Sequence, residues 1–208
     1  MKIAGIILAA GPSKRLGFPK QLVRLDGVSL VRKVALSLCD AGIEKIGVVT
    51  GAWHSELEKE LTGLDIEVIY NENWKEGMSG SVACGAAWAE TIGVDQAVIL
   101  ATDQWKVKSD DITSLISEYE KEPSPIIAAS YNGAWGMPML VSCKNIIESL
   151  KSMEASVPFI PYMERKSNEV VSISMEHAGA DLDTPAQLME LSEIHNVTVL
   201  RPGALGAI

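Results

Sequence analysis

Long apolar runs are missing from this sequence of 208 residues. No window approaches the roughly 20 uninterrupted apolar residues needed to cross a bilayer, so no membrane span is expected. Cysteine is scarce: Cys39, Cys84 and Cys143 stand far apart and no CxxC pair occurs. They read as reduced core thiols of a cytoplasmic protein. A chain of this length buries roughly 70% of its unfolded surface and needs no disulfide or metal staple. Positive charge is in deficit, with 18 Lys and Arg against 27 Asp and Glu. A net charge of −9 is the opposite of what nucleic-acid and anionic-membrane binders carry, so both partners are excluded. No internal repeat, low-complexity tract or long linker interrupts the chain, which reads as one domain over residues 1–208.

What the sequence has is alternation. Buried-strand runs such as "KIAGIILAA", "KIGVVTG", "DIEVIYN", "QAVILAT" and "EVVSISM" are separated by stretches of helical period. "SLVRKVALSLCDAGI" places Val31, Val34, Ala35 and Leu38 on one helical face, with Gly42 and Ile43 as a left-handed C-terminal cap. "HSELEKELTG", "SGSVACGAAWAET" and "SDDITSLISEYEKE" read as helices, the second so rich in small residues that its backbone can lie close to a neighbour. "PIIAASYNGAWGMPMLVS" reads as strand, turn and strand. Further helices are expected around Asn145 to Lys151, from Val157 to Lys166, and from Pro185, where Thr184 and Gln187 form a capping box. Such alternation implies an α/β fold of three layers around a mostly parallel sheet.

The opening stretch "MKIAGIILAAGPSKRLGFPKQL" sharpens the question of function. A signal peptide is excluded because basic residues follow the apolar run rather than precede it. A buried strand ending in a glycine-containing loop places backbone N–H groups at the carboxyl edge of a parallel sheet, where such folds bind ligands. Arg15 offers a forked contact to phosphate oxygens and Lys20 a point charge. The loop is neither a Walker A motif nor a GxGxxG fingerprint. Asp103 follows an apolar run, so its carboxylate emerges at a strand end, either to bond the next loop or to hold a hard cation. Asp183 adjoins a helix start and could merely assist that cap, and Asp181 is a rival ligand. Ser79 is equally suited to helix capping. His54, His177 and His195 are separated and read as ordinary polar residues. No Ser-His-Asp or Cys-His arrangement stands out.

"LAAGPSKRLGFPKQL", from Leu8 to Leu22, resembles the signature LAAGxSxRxGxPKxL of nucleotidyltransferases with the glycosyltransferase-A-like (nucleotide-diphospho-sugar transferase, Rossmann-like) fold. The resemblance is to the MobA/MocA-like NTP transferases, in particular their molybdenum-cofactor cytidylyltransferase branch. It continues through "NENWKEGMSGSVACG", "VILATDQW", "GMPML" and "DLDTPAQL". It implies a Mg²⁺-dependent transfer of CMP from CTP to a phosphate-bearing acceptor such as molybdopterin, with loss of pyrophosphate. It places Leu8, Ala9, Ala10, Gly11, Arg15, Lys20, Asn71, Ser79, Ser81 and Asp103 at the nucleotide and Asp103 with Asp183 on the metal. Arg15, Lys20 and Asp103 are then the catalytic residues. Ala10 stands where guanylyl-transferring relatives carry glycine, and a methyl group there favours a pyrimidine. The resemblance leaves GTP, or a sugar- or alditol-phosphate acceptor, as alternatives. A maturation factor that binds nucleotide or cofactor without turnover and serves a molybdoenzyme is the alternative of another class. Trp105, Trp135 and Met137 depart from the family pattern. The two tryptophans are expected to form an aromatic wall for a flat acceptor.

Overall fold

The computed structural model describes residues 2–144, 146 and 169–199. The first half runs β1 (Ile3–Leu8), β2 (Arg24–Leu25), β3 (Val28–Ser29), α1 (Leu30–Asp40), β4 (Lys45–Thr50), α2 (His54–Leu61) and β5 (Glu67–Tyr70). After it come α3 (Met78–Thr91), β6 (Gln96–Ala101), α4 (Ser109–Lys121), β7 (Ile126–Tyr131), β8 (Ala134–Ser142), β9 (Val170–Ser174), α5 (Pro185–Ser192) and β10 (Val197–Thr198). Seven strands make one sheet in the order β5-β4-β1-β6-β8-β7-β9, and β10-β2-β3 make a small one. β8 runs antiparallel to both neighbours, and the other pairings of the large sheet are parallel. The mostly parallel α/β sheet expected from the sequence is therefore present.

The run "IAGIIL" reads as uninterrupted apolar because both faces of the sheet are covered. Ile7 belongs to the cluster under α1, α2 and α4, which also holds Val34, Leu57 and Ile112. Ala4, Ile6 and Leu8 point the other way, into the cluster beneath α3 with Val82 and Ala86. That two-residue period sets the three layers. The small residues of α3 have a packing reason: a Cβ on Gly85 would lie 2.5 Å from Cγ2 of Ile6. A third cluster joins Leu16, Val23, Leu25 and Leu30 to Leu182 and Leu191, tying the opening loop to α5.

The caps expected at Gly42 and Thr184 are present, and Ser29 is a further one. The Ser29 Oγ accepts from the N–H of Arg32 to begin α1, and Ile43 N–H donates to Leu38 O at 3.1 Å to close it. Thr184 and Gln187 form the capping box of α5. The β7–β8 turn has Asn132 and Gly133 both at positive φ, the signature of a tight hairpin. Two details differ, and a third expectation falls where nothing is described. The β2–β3 hairpin, turning at Asp26 and Gly27 with φ of 55° and 84°, has no apolar alternation long enough to announce it. Cys39 is exposed rather than in the core, on the solvent side of α1, whereas Cys143 is buried. The helices expected at Asn145 to Lys151 and Val157 to Lys166 lie outside the described residues, Ile146 apart. Among the described residues no helix is long and apolar enough to cross a membrane.

Candidate active site

The loop after β1 is held from within by Gln21, a buried residue only 1% exposed. Its Nε2 donates to the carbonyls of Ala9 (3.0 Å) and Gly11 (2.8 Å), and its Oε1 accepts from Ser13 Oγ. Ser13 Oγ also accepts from the N–H of Lys20 at 3.1 Å. One buried amide thus holds the start of the loop through the carbonyls of Ala9 and Gly11 and, by way of Ser13, ties it to Lys20. The arrangement aims Lys20 across the carboxyl ends of β1 and β6.

There the distant acids converge. Lys20 Nζ donates to Asp103 Oδ2 at 2.5 Å and to Asp183 Oδ1 at 2.8 Å, and Arg15 donates to Asp183 Oδ2 at 2.5 Å. Asp103 arrives from the end of β6, and Asp183 from the start of α5, where its own N–H bonds Gln187 Oε1 at 2.9 Å. Burial would discharge the Lys20 ammonium, but the two carboxylates outweigh it and hold its pKa above the usual lysine value. Burial also pushes Asp183 up, yet Lys20 and Arg15 leave it below the ordinary carboxylate value. Asp181 goes the opposite way. Although the residue as a whole is exposed, desolvation of its carboxyl group and then the charges of Asp103 and Asp183 raise it to about 6.

A cleft of about 590 Å³ opens on this cluster. Leu8, Ala10, Gly11, Lys20, Ser81 and Asp103 line it, as do Lys14, Trp74 and Thr102. Of the other expected nucleotide residues, Ala9 is buried behind the wall. Asn71 acts on it indirectly, with Nδ2 donating to Ser81 Oγ at 3.1 Å. Ser79 sits in the first turn of α3 but is not its cap, which is Gly77. Arg15 and Asp183 stand beside the cleft, joined to it by Lys20.

The two tryptophans do not form one wall. Trp105 packs against the cluster shared by the opening loop and α5. Trp135 packs against the cluster beneath α3, because β8 turns it to that face of the sheet. The histidines, expected to be unsupported, each have a polar partner. His54 meets Thr50 Oγ1 at 2.8 Å, His177 meets Asp111 at 2.8 Å and His195 meets Asp26 at 2.7 Å. Gln21 and Gln104 were not singled out by the sequence. Gln104, 3% exposed, accepts from Ala101 N–H and donates to the carbonyls of Met137 and Ala178. A glutamine directly after Lys20 or Asp103 was the available signal, but amides carry no periodic pattern to flag them.

The fold is that of the nucleotide-diphospho-sugar transferases, and the family match makes the chain a nucleotidyltransferase. In fold it is similar to a nucleotidyl transferase from Methanothermobacter, with a TM-score of 0.78 at 19% identity over 92% of this chain and 96% of that one. The MobA-like NTP transferase domain matches residues 5–161, and the chain belongs to that family. It is 25% identical to the nicotine blue oxidoreductase of Paenarthrobacter nicotinovorans over 91% of this chain and 96% of that protein. It is 33% identical to the molybdenum cofactor guanylyltransferase of Rhodobacter capsulatus, over 50% of this chain and 52% of that protein.

Proposed function

We propose that the protein transfers CMP from CTP to the phosphate of an acceptor, molybdopterin, releasing pyrophosphate in a Mg²⁺-dependent reaction. The observation that carries this reading is the meeting of Asp103 and Asp183 on one cationic position beside the cleft. Two hard carboxylates already sharing an ammonium are a donor set that suits a small divalent cation completed by phosphate oxygens, so the residues fit Mg²⁺. Asp103 and Asp183 would hold it, and when bound it supplies charge neutralisation and alignment of the phosphates.

The chain's own residues then have separate tasks. The triphosphate lies along the loop from Leu8 to Gly11, with the base towards Ala10 and Ser81. Lys20 and Arg15, paired to carboxylates in the structure, stabilise the charge that builds on the departing pyrophosphate. An acceptor phosphate oxygen forms a bond to the α-phosphorus while the bond from that phosphorus to the bridging oxygen breaks. Chemistry of this kind needs positioning and charge compensation and no protein nucleophile. The methyl group of Ala10, on the cleft wall, supports CTP. The guanylyltransferase name of one relative supports GTP as the second reading.

The test is anaerobic incubation with molybdopterin and either CTP or GTP, monitored for pyrophosphate. The proposal expects kcat/KM for CTP to exceed that for GTP by about tenfold or more, the effect of roughly 1.4 kcal/mol of pocket discrimination. A preference for GTP overturns the base assignment. Tight CTP binding with no pyrophosphate from any phosphate-bearing acceptor would favour a binding factor.

A further inference from the structure

We propose that Gln104 is a positioning residue, which holds Asp103 and Asp183 at the separation a divalent cation needs; this rests on the metal pair of the transferase reading above. The sequence itself makes the gap that Gln104 fills. β6 and β8 pair from Gln96–Ser142 to Ile99–Met139, and the ladder then meets Pro138, which has no N–H to give. Carried on, the same register sets Ala101 opposite Met137. There the side-chain amide of Gln104 takes the place of a direct bond between the strands. Its Oε1 accepts from Ala101 N–H at 3.1 Å, and its Nε2 donates to the Met137 carbonyl. The two strands can thus part at the end that carries the site while both backbone groups keep a partner.

The same amide reaches the segment of the other acid. Nε2 also donates to the carbonyl of Ala178 at 3.4 Å, in the short turn Glu176–Gly179. Ala178 and Leu182 are both buried, and they anchor the two ends of the stretch that leads to Asp183. Leu182 is held by apolar contact with the cluster of Leu16 and Val23, whereas Ala178 is held by Gln104. On the side of Asp103, the backbone N–H of Gln104 closes the turn onto the Ala101 carbonyl at 3.2 Å. One buried side chain therefore ties the end of β6, the facing strand and the approach to Asp183. The two acids meet on Lys20 Nζ at 2.5 and 2.8 Å, and a shift of either segment would part them.

The experiment uses the full chain with Mn²⁺ as probe, titrated by electron paramagnetic resonance with and without CTP. Gln104→Met keeps the length of the side chain and removes every bond of its amide. Gln104→Asn keeps the amide on a shorter arm, and carries the test if the methionine variant fails to fold. Ile112→Val, in the core beneath α4, is the control for a loss of stability alone. Mn²⁺ should bind the wild type and bind either Gln104 variant roughly tenfold to a hundredfold more weakly, the usual effect of losing an outer partner of a metal ligand. The KM for CTP at saturating metal should change less than about twofold, because uniform binding of the nucleotide is untouched. Ile112→Val should keep the wild-type Mn²⁺ affinity. Unchanged affinity in the Gln104 variants, an equal loss in Ile112→Val, or no binding by the wild type overturns the positioning role. If affinity falls as expected but no phosphate-bearing acceptor yields pyrophosphate, the transferase reading fails and the positioning role stands. If the wild type turns over and the Gln104 variants keep its metal affinity, the positioning role fails and the transferase reading stands.

Discussion

Asp103 and Asp183 accept hydrogen bonds from the same atom, the Nζ of Lys20, at 2.5 and 2.8 Å. One acid follows the end of a central strand and the other stands just before Thr184, the N-cap of the last described helix. Between them they place about two negative charges on a site served by Lys20 and Arg15. Such a balance is stable while a cation is present and becomes repulsive when one is removed.

Asp103→Asn keeps the shape of the side chain and removes half of that negative charge. Pyrophosphate release should fall by at least about a hundredfold, the scale of losing one preorganised charge-stabilising group. Circular dichroism and thermal melting should stay close to wild type. Activity within a few-fold of wild type would remove Asp103 from the machinery.

Opposite shifts at Asp181 and Asp183 predict opposite stability changes with pH in metal-free buffer. Asp181 is raised to about 6 from an ordinary 3.8, so its ionisation costs stability above that range and nothing below the ordinary value. Asp181→Asn should therefore melt above wild type at about pH 8, with the gap closing towards about pH 4. Asp183 is lowered, so its contribution is present above the ordinary value and is lost as pH falls through the lowered one. Asp183→Asn should melt below wild type near neutrality and approach it in acid. Melting curves of the three proteins across pH check both signs, and parallel curves would contradict them.

Gln21→Ala should cost about 1–3 kcal/mol, because the carbonyls of Ala9 and Gly11 lose a buried donor. The loss should also loosen the loop that aims Lys20, so the KM for nucleotide should rise. Urea unfolding together with steady-state kinetics separates the two effects. A stable variant with unchanged KM would show that the loop needs no internal clamp.

How much of this was legible beforehand depended on periodicity. The buried strand before the loop, the caps at Gly42 and Thr184, and the small-residue face of α3 all follow from spacing and residue type. The carboxylate of Asp103 at a strand end followed as well. Its meeting with Asp183 did not, since tertiary folding sets that distance. The separation of Trp105 from Trp135 was hidden for the same reason: both sit in loops or strand ends, but the face of β8 decides which cluster Trp135 joins. His195 looked unsupported because its partner, Asp26, lies in a hairpin too short to read from alternation.

Ala10→Gly should shift base preference. Removing the methyl group widens the cleft wall, so the CTP-to-GTP ratio of kcat/KM should fall by roughly 3-fold to 10-fold, within the range one methylene commands. Competition assays with both nucleotides measure the ratio directly. An unchanged ratio would place base selection elsewhere on the wall.

Gly51→Ala should disturb the floor of the same cleft. A Cβ there would fall 2.5 Å from Trp74 Cβ and 2.8 Å from the Ala10 carbonyl oxygen. Backbone cannot yield as a side-chain tip can, so a loss of about 1–3 kcal/mol is expected. Weaker nucleotide binding should accompany it. Chemical denaturation and nucleotide titration read both, and full stability would mean the floor can shift freely.

The most direct measurement is anomalous diffraction from a crystal soaked with Mn²⁺ and CTP. A manganese peak bridging Asp103 and Asp183, with the triphosphate along the loop from Leu8 to Gly11, is the result expected. A peak held by other residues, or a triphosphate lying away from Lys20, would contradict the account at its centre.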